Sequence, residues 1–303
     1  MNWDLIVIGA GPAGISASLY AVSRGLNVLL LEKERVGGIL GKVSTVTHYS
    51  AILPDETGAT FAKRLEEQAL RAGVELRYEN VTRVSLAGEI KRVETDKSAY
   101  EARAVILSNG STPKKLGIPG ERELAGKGIG LNAAKDGARY AGKNIYVVGG
   151  ADGAIKEALY LAQFAKKLTV IHFESRLGAI PEFTRKLERL QNAEVLLETR
   201  LTGVFGKERV ERLELTEENG GAKRVLEDDG CGIFVYAGTA PNTQLYGELE
   251  LSGGYIPANE KMETRLAGVY AAGDIRVKQV RQAATAVADG AIAGINAAAY
   301  VKA

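Results

Sequence analysis

The feature that most constrains this chain is a glycine-rich turn that occurs twice, each time between an apolar strand and a helical pattern. Residues 5–14 read LIVIGAGPAG and residues 145–154 read IYVVGGADGA. A second apolar segment follows each turn at a similar distance, LNVLLLE at 26–32 and LTVIHFE at 168–174. Each half therefore predicts strand, turn, helix and a second strand that ends in an acid, which is the βαβ unit of a dinucleotide-binding domain.

The length of the chain and its proline-containing segments predict two domains, one inserted into the other. At 303 residues the chain is about twice as long as a typical domain. Polar segments at 111–115 and 238–242 flank the second βαβ unit and are expected to act as hinges. We predict an α/β fold with two Rossmann-like (three-layer ββα) domains: a first domain over 1–115 and 241–303, and an inserted second domain over 116–240.

Cysteine and histidine usage exclude several kinds of chemistry. Cys231 is the only cysteine, so the chain can form neither an intramolecular disulfide nor a CxxC redox pair. A thiolate-based structural zinc site is excluded for the same reason, and two histidines, His48 and His172, make a multi-histidine centre improbable. We predict no metal site and expect Cys231 to be a small buried hydrophobe.

Charge and the first apolar run bear on partners and location. Lys and Arg number 39 against 37 Asp and Glu, and a formal net charge of +2 is too small to predict nucleic acid or an anionic membrane as a partner. Residues 5–22 are uncharged, but glycines and a proline interrupt them and no Lys or Arg precedes them. This pattern is not typical of a signal or membrane segment, and we predict a cytoplasmic protein.

The first turn fits the GxGxxG pattern of a dinucleotide site. Gly9 permits the tight turn, Gly11 lets the backbone approach a pyrophosphate, and Gly14 allows close packing of strand and helix. The helix N-terminus offers partial positive charge to phosphates. An acid at the end of the second strand can accept hydrogen bonds from ribose hydroxyls. The residues predicted to bind here are Gly9, Gly11, Pro12, Ala13, Gly14 and Glu32.

Further motifs along nearly the whole chain resemble the thioredoxin reductase-like flavoproteins, which are two-domain pyridine nucleotide–FAD oxidoreductases. The matching segments are GAGPAG at 9–14, Gly37-Gly38, NGSTP at 109–113, LGIPG at 116–120, VVGGADGA at 147–154, APNT at 240–243, AGD at 272–274 and RQA at 281–283. The resemblance implies FAD as cofactor and a homodimer.

The resemblance also implies which residues contact FAD. Asp274 would bind the ribityl chain, and Arg281 and Gln282 would meet the flavin edge. Two positions depart from the family pattern: Ile39 stands for a Gln, and His48, which could hydrogen-bond the flavin, stands for an Asn. The additional residues implied in the FAD site are Gly38, Ile39, His48, Asn109, Gly110, Gly273 and Ala283, although Asn109 could instead be structural.

The most consequential departure concerns the redox pair of the family. Its CxxC followed by Asp-Gly falls on residues 132–137, which read NAAKDG, so both sulfurs are absent. Dithiol exchange needs two thiols, and the chain is therefore not expected to reduce thioredoxin. By resemblance this loop faces the flavin, where Lys135 could raise the flavin potential and Asp136 could donate a proton, with Asn132 beside them. Alternatively the loop is an eroded site whose lysine points to solvent.

The second turn departs from its fingerprint at the phosphate. Gly149 is retained, but Ala151 adds a methyl group where the second glycine should be. Three arginines that bind NADPH in relatives fall on Phe173, Glu174 and Gly178. We expect Glu174 to repel a 2′-phosphate and to accept from a ribose 2′-hydroxyl, so NADPH is disfavoured and NADH is favoured if a nicotinamide binds at all.

These observations predict an FAD-dependent oxidoreductase that passes electrons directly between the flavin and an outside partner. The candidate partners are NADH and a small redox protein such as ferredoxin or flavodoxin. The alternative is a non-catalytic FAD-binding sensor, or a protein that recruits partners, whose nicotinamide site has degenerated.

Overall fold

The computed structural model describes residues 3–303, which form two compact units. The first unit contains the chain up to Thr112 together with Ala240–Ala303, and the second contains Pro113–Thr239. The divisions predicted from the sequence lie at 115/116 and 240/241. The chain passes from one unit to the other within Ser111–Pro113 and Thr239–Pro241. These two segments pair with each other as short strands.

The elements are numbered in chain order. The helices are α1 Pro12–Val22, α2 Gly58–Arg71, α3 Ala133–Asp136, α4 Asp152–Ala162, α5 Pro181–Glu188 and α6 Ala283–Lys302. The strands are β1 Trp3–Ile8, β2 Val28–Glu32, β3 Glu75–Tyr78, β4 Val81–Ser85, β5 Lys91–Thr95, β6 Ala99–Leu107, β7 Ser111–Pro113, β8 Ile129–Gly130, β9 Asn144–Val148, β10 Lys167–Ile171, β11 Ala193–Leu196, β12 Thr199–Phe205, β13 Arg212–Glu217, β14 Lys223–Glu227, β15 Gly232–Val235, β16 Thr239–Pro241 and β17 Val269–Ala271.

The first unit is built on a mixed sheet of order β3-β2-β1-β6-β5-β4, with β17 also paired to β6. The strands β3, β2, β1, β6 and β17 are parallel, and β5 and β4 continue antiparallel. Apolar side chains on both faces of β1 and β2 are buried, which explains why these strands read as continuous apolar runs.

Helix α6 packs on α1 in the core of the first unit. A Cβ on Gly290 or Gly294 would overlap with the carbonyl oxygens of Ala13 and Ala17, so glycine at both positions permits the close approach. By length and composition α6 would also suffice to cross a membrane. One face of α6 is buried against α1.

The second unit repeats the arrangement with a parallel sheet of order β11-β10-β9-β15-β8. Helices α4 and α5 bury Ile155, Leu161, Phe183 and Leu187 in its core. A separate antiparallel sheet, β12-β13-β14, follows in the chain. Both units are therefore Rossmann-like, which confirms the predicted fold class.

Candidate functional site

The carboxyl ends of four strands align at one edge of the first sheet. Ile8 is opposite both Leu31 and Leu107, and Leu107 is opposite Ala271. The glycine-rich turn follows β1, and β2 ends at Glu32 itself. Residues 108–110 follow β6, and residues 272–274 follow β17. Because ligands of open α/β sheets bind beyond the carboxyl ends of the strands, this edge is the candidate site.

The three fingerprint glycines of the first turn have different surroundings. Gly9 has φ +97°, and a Cβ there would lie 2.6 Å from Asn109 Cα. A Cβ on Gly14 would overlap with the Gly9 carbonyl oxygen. Gly11, in contrast, has extended backbone, and a Cβ there would meet no protein atom within 4 Å. The protein itself requires Gly9 and Gly14, whereas Gly11 leaves open the side on which a phosphate would lie.

Pro12 and Ala13 occupy the first turn of α1, with Pro12 in its first position and Gly11 as N-cap. Proline is well suited there because its missing N–H has no partner to lose. No side chain caps this end of α1, so its backbone N–H groups remain for an anion.

The Glu32 carboxylate is tied to the turn. It accepts from Ala10 N at 2.9 Å and from Glu34 N at 3.0 Å. Gly37 N donates to the Ala10 carbonyl, and Gly38 lies close to Gly11, since its Cβ would be 3.5 Å from Gly11 Cα. The acid is therefore fixed beside the phosphate-binding turn before any ligand binds.

A buried charge cluster follows β17. The Asp289 carboxylate of α6 accepts from Arg276 Nε and Nη2 and from Lys278 Nζ, all at 2.8 Å, and from Gly273 N at 3.1 Å. Burial alone would raise the pKa of Asp289, but the hydrogen bonds from Arg276 and Lys278 outweigh it and lower the pKa. Asp289 thus holds two of the three cations of this region.

Asp274 and Arg281 remain uncommitted beside that cluster. Asp274 Oδ1 and Arg281 Nε are both buried and have no hydrogen-bond partner within residues 3–303. Burial raises the pKa of Asp274, and the charges of Lys278 and Arg281 oppose the shift. Buried polar atoms without partners are costly, and here they mark atoms able to bind the hydroxyls and acceptors of a ligand.

Gln282 and Ala283 form the start of α6. Gln282 N donates to Thr285 Oγ1 at 3.2 Å, and the 20-residue helix begins at Ala283. The positive end of this helix therefore lies directly after Arg281.

Asn109 has a structural task. Tyr246 O–H donates to Asn109 Oδ1 at 2.7 Å, and Asn109 Nδ2 donates to the Asn242 carbonyl at 3.2 Å. Asn242 N in turn donates to the Gly110 carbonyl. Both side-chain ends of Asn109 are thus engaged within the protein, as the structural alternative expected.

Ile39 and His48 lie between β2 and α2, and both are exposed. His48 has φ +54°, a left-handed conformation that is uncommon for a residue with a side chain. The neighbouring Tyr49 packs edge-on against Phe61, with 5.2 Å between ring centroids.

The second turn has the same backbone with different side chains. Ala151 is the N-cap of α4 with φ −84° and ψ 174°, close to the values of −71° and −179° at Gly11. Gly149 has φ +132°, and a Cβ there would overlap with the Tyr236 carbonyl oxygen. A Cβ on Gly150 would lie 2.6 Å from the His172 ring. The methyl group of Ala151 therefore occupies the position that Gly11 leaves open.

His172 and Glu174 form a pair after β10. His172 is buried against Gly150, and its Nε2 lies 3.2 Å from Glu174 Oε2. The Glu174 side chain is 55% exposed, so it can still meet a ligand. Phe173 stacks under the guanidinium of Arg200 at 4.4 Å. Positions 173 and 174 thus present a ring and a carboxylate at the end of β10.

The loop at 132–136 is locally well ordered. Asn132 Oδ1 accepts from Lys135 N at 2.9 Å and caps α3. The buried Asp136 accepts from Leu131 N at 2.8 Å and lies 3.4 Å from Arg139 Nη1. Lys135 is exposed, and its ammonium forms no hydrogen bond or ion pair with residues 3–303. Of the three predicted catalytic residues, Asn132 and Asp136 have structural tasks and Lys135 does not.

Cys231 is buried directly before β15, as expected. Burial raises the pKa of its thiol to about 12, and the nearby Asp228 contributes to the shift. A thiol of this kind is almost fully protonated near neutral pH and is a poor nucleophile. Within residues 3–303, no group of three or more His, Cys, Asp or Glu could hold a metal ion.

Comparisons with known proteins agree with this architecture. The model of the pyridine nucleotide-disulphide oxidoreductase family matches residues 3–290. The chain belongs to this family. Within it, the chain is 38% identical to a thioredoxin reductase of Peptoclostridium litorale over 306 aligned positions, covering 99% of this chain and 97% of the relative.

Two further relatives are informative. A 34.2 kDa protein in a rubredoxin operon of Clostridium pasteurianum is 36% identical, covering 98% of this chain and 97% of the relative. The crystal structure of Lactococcus lactis thioredoxin reductase superposes with a TM-score of 0.95 at 29% identity, covering 99% of both chains. The chain is therefore a thioredoxin reductase-like, FAD-dependent oxidoreductase.

Proposed function

We propose that this oxidoreductase exchanges electrons directly between its flavin and an external partner, with no disulfide relay. The carrying observation is that Cys231 is the only thiol of the chain and is buried, with its pKa raised to about 12. By the resemblance, Asn132 and Lys135 stand where the family has its cysteine pair. Exchange with a disulfide substrate requires an accessible thiolate and a second thiol to resolve the mixed disulfide. This chain offers neither.

We place FAD at the strand-end edge of the first unit. Bound FAD supplies redox chemistry at its isoalloxazine ring. The turn at 9–14 and Gly38 would hold the pyrophosphate, and Glu32 a ribose. Asp274 Oδ1 would accept from ribityl hydroxyls, and Arg281 Nε would donate to the cofactor. Both atoms are buried and have no partner among residues 3–303, which supports their assignment to a ligand.

We propose NADH rather than NADPH as the nicotinamide donor. Glu174 is exposed at the end of β10, held by His172, and can accept from a ribose 2′-hydroxyl. A 2′-phosphate there would meet a carboxylate instead of arginines, and each lost charge-assisted hydrogen bond costs about 1.5–3 kcal/mol.

Nucleotide selectivity tests this choice. In anaerobic rapid mixing, NADH should bleach the flavin absorbance faster than NADPH. Glu174→Arg should reverse or abolish the preference, while Glu227→Arg, on the exposed strand β14, should leave it unchanged. Equal rates with both nucleotides in the parent protein would contradict the assignment.

A small redox protein is the second candidate partner. One relative is named for its place in a rubredoxin operon, and the structure of a ferredoxin-flavin thioredoxin reductase from Clostridium acetobutylicum superposes with a TM-score of 0.55 at 27% identity, covering 100% of this chain. Reduced ferredoxin mixed with the oxidised protein distinguishes the candidates. Bleaching by ferredoxin alone would favour this partner over NADH, and no bleaching by any of the three donors would favour the sensor.

We also propose that Lys135, and not Asn132 or Asp136, is the functional residue of the 132–136 loop, since its side chain alone is uncommitted. A positive charge near the flavin would favour its reduced, more negative form. Lys135→Met should lower the flavin midpoint potential, and Lys223→Met on the exposed strand β14 should not. An unchanged potential in Lys135→Met would leave the loop without a redox role.

A further inference from the structure

Arg281 differs from its neighbouring cations in what holds it. Arg276 and Lys278 are both hydrogen-bonded to the Asp289 carboxylate. The Arg281 guanidinium instead lies over the ring of Tyr255, with 4.3 Å between Cζ and the ring centroid. Within residues 3–303 no carboxylate forms an ion pair or hydrogen bond with it, although its charge acts on Asp274 and opposes the rise in the pKa of that acid.

An aromatic ring and a carboxylate can both hold a guanidinium, but they differ in what they do to its charge and its N–H donors. A carboxylate neutralises the charge and occupies two N–H donors in the guanidinium plane. A ring face attracts the cation and leaves the in-plane donors available. Arg281 Nε is indeed buried without a protein partner. Tyr255 therefore fixes the side chain while leaving its charge and its donors for something else.

Tyr255 lies in a turn that backbone hydrogen bonds hold in place. Ser252 and Tyr255 exchange backbone hydrogen bonds of 2.9 and 3.0 Å. The next residue, Ile256, donates to the Ile275 carbonyl at 3.1 Å and accepts from Val277 N at 2.9 Å. The turn that carries Tyr255 is thus hydrogen-bonded to the segment that directly follows Asp274.

We propose that Tyr255 is a positioning residue for the cofactor, whose ring holds the Arg281 cation without a carboxylate hydrogen bond, so that its N–H donors are available to the oxygens of bound FAD. The charges around it support this assignment. Asp289 retains Arg276 and Lys278, so Arg281 is the cation of the cluster left for a ligand. The inference rests on the FAD site proposed above.

A titration of the full-length apoprotein with FAD tests the proposal without turnover. Quenching of FAD fluorescence monitors the binding. Tyr255→Leu should weaken binding by about 5- to 20-fold, and Tyr255→Phe, which keeps the ring, should remain within about twofold of the parent. Tyr255→Leu should also reduce the salt dependence of the dissociation constant, because the Arg281 charge is retained but is no longer held beside the oxygens of FAD. A loss of folding alone would not change the salt dependence in this way.

A double-mutant cycle with Arg281→Gln shows whether Tyr255 acts through Arg281. The double variant should bind FAD no more weakly than Arg281→Gln alone. Fully additive losses, or parent-like binding by Tyr255→Leu, would overturn the proposal. Parent-like binding by Arg281→Gln would also overturn the proposal, whereas a parent apoprotein that binds no FAD would overturn the FAD site itself. If circular dichroism shows Tyr255→Leu to be unfolded, Tyr255→Met replaces it in the cycle with the same expected outcomes.

Discussion

The two glycine-rich turns of this chain share a backbone but differ in what they leave for a ligand. Gly11 and Ala151 are both helix N-caps with extended backbone and nearly equal dihedral angles. Around Gly11 the protein leaves the Cβ position open, and around Ala151 a methyl group fills it. The βαβ geometry therefore survives without the glycine that lets phosphate approach, and fold alone does not establish that a nucleotide binds.

The acids that follow the turns differ as well. Glu32 is fixed by two backbone N–H groups of its own turn region, while Glu174 is held by one contact with His172 and is more exposed. The first unit thus has a pre-formed dinucleotide site. The second has a less constrained acid, and the proposed discrimination against a 2′-phosphate rests on the charge of Glu174.

The largest effect is expected at Gly14, where the first turn has no room. Its Cβ would overlap with the Gly9 carbonyl oxygen and lie 2.7 Å from Ser108 Oγ. Gly14→Ala should lower the free energy of unfolding by about 3 kcal/mol and abolish FAD binding, because backbone must shift. Thermal unfolding and flavin absorbance measure both. Gly153→Ala in α4, where a Cβ meets nothing within 4 Å, is the control and should be slightly stabilising.

Gly11→Ala should weaken FAD binding without changing the stability of the apoprotein. Ala151 shows that alanine accepts this backbone, and the added Cβ touches no protein atom. The apoprotein should keep its stability within about 0.5 kcal/mol. FAD should bind about tenfold more weakly or worse, because the pyrophosphate is pushed outward. Unchanged affinity in a calorimetric titration would mean that phosphate does not approach this turn.

Asp274 should cost the apoprotein stability near neutral pH. Burial raises its pKa, so the native state favours the protonated acid, and stability present at low pH is lost as the pH rises through the raised pKa. Asp274→Asn should therefore stabilise the apoprotein at pH 7 by about 1 kcal/mol and weaken FAD binding. Urea unfolding at two pH values checks the sign. Asp289 has the opposite behaviour, since its lowered pKa means that its contribution is lost on acidification.

The smallest effect is expected from placing a glycine at position 151 of the second turn. Ala151→Gly removes the methyl group and should tighten NADH binding by about threefold, because backbone can approach the phosphate more closely. Ala154→Gly is the matched control. The Ala154 side chain packs in the core of the second unit, so its loss should only lower the free energy of unfolding. If NADH affinity does not change in Ala151→Gly, the methyl group is not what limits binding.

Much of the fold could be predicted because the signals are local. The repeated fingerprint predicted both glycine-rich turns, the helices α1 and α4 that follow them, and the strands β1, β2, β9 and β10. Cys231 is buried, as expected of a lone cysteine without a second thiol.

The charge cluster was missed because it depends on contacts between distant segments. Asp289 binds Arg276 and Lys278 across 13 and 11 positions, and Tyr255 meets Arg281 from another turn. One signal was available: Asp289 is the single acid in the apolar helix α6, and a lone buried acid needs cationic partners. The partnership of Tyr246 and Asn109, 137 positions apart, had no such signal.

The most direct test of the account is anaerobic stopped-flow mixing of NADH with the FAD-loaded Cys231→Ser variant. Direct electron transfer predicts that the flavin absorbance bleaches at the rate of the parent protein, and that the variant keeps full turnover with a one-electron acceptor dye. Loss of bleaching or turnover on removal of this one sulfur would contradict the account.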